Sequence, residues 1–87
     1  MNLDQVAQSV RAFIQQEFNI PSSDADFTDD VHLFNYGYID SFGAAALKSF
    51  VEDTFAIKVS QSDLIGYPMN TVNEIAGFVV KRQAGEI

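Results

Sequence analysis

The sequence predicts an all-α fold: a small four-helix bundle of three main helices and one short helix, with a long ordered connection between the first two. Three observations point there. Apolar residues recur at helical spacing in three segments, capping chemistry stands at the helix starts, and 87 residues make one domain, spanning 1–87. A chain this short buries about 60% of the surface that its unfolded form exposes, so it can fold alone but has no room for a deep catalytic cleft.

The first helix is read from Leu3, Val6, Ala7, Val10, Phe13, Ile14 and Phe18, an i, i+3, i+4, i+7 stripe. Asn2 is placed to cap it, and Asp4 suits the positive end of its dipole. Asn19 and Pro21 end it, because proline cannot continue the ladder and pushes Ile20 toward extended geometry. Residues 19–40 form the long connection. Its first part is acidic (Asp24, Asp26, Asp29, Asp30), and its second carries Val31, Leu33, Phe34, Tyr36, Tyr38 and Ile39, which need burial. The segment is therefore expected to lie over the domain, stapled by Leu33, Phe34 and Ile39, with Gly37 supplying a backbone angle that its neighbours adopt only at a cost.

The second helix is predicted over about Ser41 to Phe55. Phe42, Ala46 (or Ala45), Leu47, Phe50, Val51 and Phe55 mark its apolar face, and Ala44 to Ala46 are strong helix formers. An extended step at Ile57 and Val59 leads into a short helix capped by Ser60 and closed by Gly66 and Pro68. The last helix is predicted from about Thr71 to Gln83, with Val72, Ile75, Ala76, Val79 and Val80 apolar. Thr71-x-x-Glu74 has the spacing of a capping box, Lys81 and Arg82 complement the C-terminal dipole, and Ala84–Ile87 is expected to fray.

Composition excludes several kinds of chemistry. Without cysteine there is no disulfide framework, thiolate nucleophile or Cys-based metal site, and one histidine rules out paired-His motifs. A net charge of −7, from twelve acidic and five basic residues, makes a poor nucleic-acid binder and a natural partner for basic protein surfaces. The N-terminus has neither the basic nor the apolar region of a signal peptide, and no apolar run approaches a membrane span, so the cytoplasm is the expected location.

The chemistry concentrates at Gly37-Tyr38-Ile39-Asp40-Ser41-Phe42. This junction sets a serine at a helix start, where the first N–H groups are unpaired and the dipole would tolerate a phosphate on its hydroxyl. The plain alternative is that Ser41, or Asp40, merely caps the helix.

The whole chain resembles an acyl carrier protein of the phosphopantetheine-binding family. The resemblance rests on Asp40-Ser41-Phe42 in place of the family's Asp-Ser-Leu, with a glycine three residues before the Asp. It continues through Phe50-Val51-Glu52-Asp53-Thr54-Phe55, the apolar pair Ile57-x-Val59, and Thr71-Val72 at the start of the last helix. The resemblance implies that a phosphopantetheinyl transferase attaches 4′-phosphopantetheine from coenzyme A to Ser41. The arm's thiol would then hold acyl or aminoacyl groups as thioesters, and the protein would be a substrate of other enzymes rather than a catalyst. Asp40 would orient the loop and aid transferase recognition, with Phe42 part buried and part offered to partners. Lys48, Glu52 and Asp53 are the further candidates for partner recognition. No metal is implied, and a monomer is expected.

Carriers of fatty-acid synthesis have a densely acidic second helix. Here it reads Gly43-Ala44-Ala45-Ala46-Leu47-Lys48-Ser49, with acid only at Glu52 and Asp53. Because charge complementarity sets partner choice and on-rate, this departure points to a specialised pathway: polyketide, nonribosomal peptide, aminoacyl or lipid modification. A freestanding carrier is expected, served by a loading enzyme and by a ketosynthase, condensation or other acyl-processing enzyme. Eight phenylalanines and three tyrosines could fill the space that long-chain carriers keep for acyl tails, which favours short, polar or aminoacyl cargo outside the bundle; equally, they could be ordinary core.

Three other readings are open to the same residues. Asp24-x-Asp26-x-Thr28 opens like a calcium loop, but Asp29 stands where glycine is required and Asn35 where a bidentate glutamate is expected. His32, Ser41 and an aspartate could be a hydrolase triad, yet no Gly-x-Ser-x-Gly elbow accompanies them. A helical protein-interaction module using the aromatics around Ser41 is the remaining alternative.

Overall fold

A computed structural model describes residues 1–87 and contains four helices. They are α1 (Leu3–Glu17), α2 (Ser41–Phe55), α3 (Gln61–Gly66) and α4 (Val72–Gln83). Each starts on a side-chain cap. Asn2 and Gln5 form a reciprocal capping box on α1, as do Ser60 and Asp63 on α3. On α4 only half of the expected box forms. Thr71 accepts the Glu74 N–H at 3.0 Å, but the Glu74 carboxylate accepts the N–H of Asn70, one residue before the cap.

The core is built chiefly where α1 lies on α4. Val6, Val10 and Ile14 meet Val72, Ala76 and Val79, all essentially inaccessible to water. Leu47, Val51 and Phe55 of α2 close a second side, and the connection contributes Ile20, Phe27, Leu33 and Ile39. The predicted staple is present at Leu33 and Ile39, with Phe34 half-buried beside them. Polar bonds fix the connection as well. The Leu33 N–H donates to Asn70, the Asn73 N–H donates to Asp29, and the Arg11 guanidinium grips the Asp29 carboxylate with two hydrogen bonds. That pairing raises the Arg11 pKa. Gly37 takes φ +87, as its place in the loop requires.

At the helix ends one expectation holds, since Asn19 ends α1, and one fails. Phe18 ends α1 without extending it; Asn19 turns left-handed at φ 55, and the Ile20 N–H closes on the Gln15 carbonyl. The tail after α4 is folded, not frayed. Gly85 at φ +76 lets its own N–H reach Arg82 and the Glu86 N–H reach Lys81, a Schellman closure that lays Ile87 against the core. Arg82 serves α3 more than the dipole: its guanidinium pairs with Asp63 at 2.7 Å and covers the Phe78 ring.

Candidate functional site

The segment entering α2 is rigid for reasons that start in the connection. The Tyr38 hydroxyl donates to Asp24 at 2.9 Å, and its ring stacks on Tyr36. Burial, then the bond to Asp24, pushes the Tyr38 pKa up to about 12, so the phenol stays protonated across the ordinary pH range. Asp24 also accepts the Asp26 N–H, an Asx turn that employs the acidic residues of the connection structurally. The Tyr38 and Ile39 N–H groups both reach the Leu33 carbonyl, and Ile39 is buried. The chain is thus held on both sides of Gly37 before it turns into the helix.

Asp40 is the N-cap. Its carboxylate accepts the Gly43 N–H at 2.8 Å. That bond decides between the two capping candidates: Ser41 is the first helical residue, exposed, and its hydroxyl makes no hydrogen bond within the protein. The Ser41 and Phe42 amides open the helix with no partner inside it. An exposed, uncommitted hydroxyl at the electropositive end of a 15-residue helix is a fitting anchor for a phosphodiester.

The residue after the serine is not where the sequence placed it. Phe42 is 89% exposed, and Gly43 takes the buried position of the first turn. A Cβ on Gly43 would stand 2.6 Å from the Phe18 ring and 2.9 Å from Ile39, so α2 approaches the α1 end closely because this residue has no side chain. Sequence reasoning missed Gly43; its interruption of an otherwise alanine-rich turn was the available signal.

The other candidates separate. Lys48 and Asp53 are exposed, whereas Glu52 is half-buried and accepts the Val59 N–H at 2.8 Å. Asp63, also overlooked, is buried against Arg82 and ties α3 to α4. The Ser60 backbone N–H, and then Arg82, hold its carboxyl below the usual value. His32 spends Nδ1 on the Asn35 N–H, a turn within the connection.

One cluster of aromatics fills the space between α1 and α2. Phe13 stacks on Phe50 at 4.1 Å, and Phe18 and Phe55 meet these rings edge-on. On the other side, between α2, α3 and α4, an apolar cavity of about 80 Å³ remains, lined by residues that include Ala44, Lys48, Val51, Leu64 and Ile75. Of the two readings of the aromatics, ordinary packing is the one that their positions fit. Of the aromatics only Phe34 reaches the cavity: Phe42 faces solvent, and the others pair between α1 and α2, within the connection, or as Tyr67 with Phe78. No helix is long and apolar enough to cross a membrane.

Residues 8–79 match the model of the family described as the phosphopantetheine attachment site. No curated protein matches the chain significantly.

Proposed function

Since the chain belongs to the phosphopantetheine-attachment family, whose members carry 4′-phosphopantetheine covalently, we propose that Ser41 is the residue that carries it here. The carrying observation is the division of labour at the start of α2: Asp40 caps the helix, which leaves the Ser41 hydroxyl exposed and uncommitted. The bound arm supplies a terminal thiol that holds acyl groups as thioesters. The chain itself holds the anchor still, through Tyr38, Ile39 and Asp40, and offers a helix end that favours the phosphodiester charge.

On this reading the protein is a substrate, first of a phosphopantetheinyl transferase and then of acyl-processing enzymes. A specialised pathway fits better than housekeeping fatty-acid synthesis. With Glu52 bonded to Val59, only Asp53 remains as a free acid on α2, so a basic docking patch on a partner would find little to steer it.

Intact mass after incubation with coenzyme A and a promiscuous transferase tests the reading. A gain of one phosphopantetheine that is absent in Ser41→Ala supports it. No gain in the folded protein overturns it and favours an interaction module.

A further inference from the structure

On α2, Ser41, Ala44, Lys48 and Val51 follow one another at i, i+3, i+7 and i+10, a single stripe on one helix face. The last three line the cavity between α2, α3 and α4, so the serine stands one turn above the cavity wall. The cavity is otherwise apolar: of nine lining residues eight are hydrophobic, and Lys48 is the ninth. At about 80 Å³ it has about half the volume that accommodates a benzene, which is room for two or three carbons. Lys48 is exposed and belongs to neither ion pair of the fold, which are Arg11–Asp29 and Asp63–Arg82. In a chain of net charge −7, a free cation therefore stands at the rim of the apolar space nearest the serine.

We infer that Lys48 sets cargo specificity at the cavity mouth, admitting short acyl groups that are unsubstituted or carboxylated next to the thioester and rejecting those that bear an ammonium there. The inference rests on the carrier reading of Ser41. Ser41 and Lys48 are seven residues apart, about 10 Å along the helix, a span that the attached arm exceeds when extended. A two- or three-carbon tail then enters the apolar space and leaves its first carbon at the rim, beside the Lys48 ammonium. An α-carboxylate gains a partner there, whereas an α-ammonium meets a like charge. At about 4 Å and water-like screening, unit charges shift such a partition about fivefold in either direction.

Three cargoes of matched shape separate these cases: propionyl, alanyl and methylmalonyl, which differ only in the group on the α-carbon. Each is loaded on the full chain from an amide-linked coenzyme A analogue, and loading is confirmed by intact mass. The readout is the amide chemical shifts of Ala44, Val51, Leu64 and Ile75 against the protein carrying the bare arm. Propionyl and methylmalonyl are expected to move these signals and alanyl to leave them about fivefold less occupied. Lys48→Met should bring alanyl level with propionyl, and Lys48→Glu should reverse the order of alanyl and methylmalonyl. If the three cargoes move the cavity signals alike, if none moves them, or if Lys48→Glu leaves the order unchanged, the inference is overturned while the carrier reading stands. Failure of the arm to load on Ser41 overturns both.

Discussion

Replacing Gly43 and Gly77 by alanine, one at a time, should stabilise the protein at Gly77 and fail to do so at Gly43, although both glycines lie within helices. Alanine is favoured over glycine inside a helix by about 1 kcal/mol, since glycine loses more backbone freedom on folding. At Gly77 a Cβ meets no atom within 4 Å, so Gly77→Ala should gain that amount. At Gly43 the same Cβ falls 2.6 Å from Cε1 of Phe18 and 2.9 Å from Cγ2 of Ile39. Carbon contacts are normally about 3.5–4.0 Å, so the ring, Ile39 or the helix start must yield by roughly 1 Å. Overpacking of this kind costs about 1–3 kcal/mol. The balance leaves Gly43→Ala at about 0–2 kcal/mol of net destabilisation, so the two variants are separated by about 1–3 kcal/mol. Each kcal/mol moves the melting midpoint of a domain this size by about 4–8 °C. Urea and thermal unfolding followed by far-UV circular dichroism, with the urea slope checked for constancy, measures the difference. Equal stabilisation of both variants would refute the close approach of α2 to Phe18 and Ile39. Because the Gly43 N–H is also the donor to Asp40, the displaced helix start should slow loading of Ser41 by the transferase, which Gly77→Ala should leave unchanged.

Asp40→Ala removes the α2 cap and should cost about 1 kcal/mol in urea unfolding, whereas Asp40→Asn should retain most of it. Ala56 closes α2 in the left-handed region at φ 55, so Ala56→Gly should raise stability by about 0.5–1 kcal/mol, a gain that Ala56→Ser would not give. Asp63 titrates below its ordinary 3.8 in the folded state, so its contribution is complete above that pH and drains away as the pH falls through the folded value. Urea midpoints at descending pH should show a shallower acid decline for Asp63→Asn. Tyr38 has the opposite sign: with a folded value of about 12 against 10, its contribution is intact below pH 10 and is lost between 10 and 12. Tyr38→Phe should flatten that alkaline slope.

The helices were legible because their determinants are local. Apolar spacing placed α2 at Ser41 and Phe55, the caps Asn2, Ser60 and Thr71 stand where their side-chain chemistry put them, and Asp40-Ser41 marked the one helix start with chemistry to spare. What the sequence alone could not decide is which neighbour each side chain meets. Periodicity put Phe42 on the apolar face, but the approach of Phe18 and Ile39 gives the buried place to Gly43, which has no side chain, and turns the phenylalanine to solvent. Glu74 had the spacing to bond Thr71, but the path of the chain before α4 presented the Asn70 N–H instead. Arg82 and Asp63, far apart in sequence, meet only because the fold brings the start of α3 within reach of the end of α4, and the cavity beside Lys48 exists only as the gap that three helices leave between them. Caps and amphipathic stripes are written within one turn of the backbone, whereas cavities, ion pairs and close approaches are properties of surfaces brought together by the whole fold.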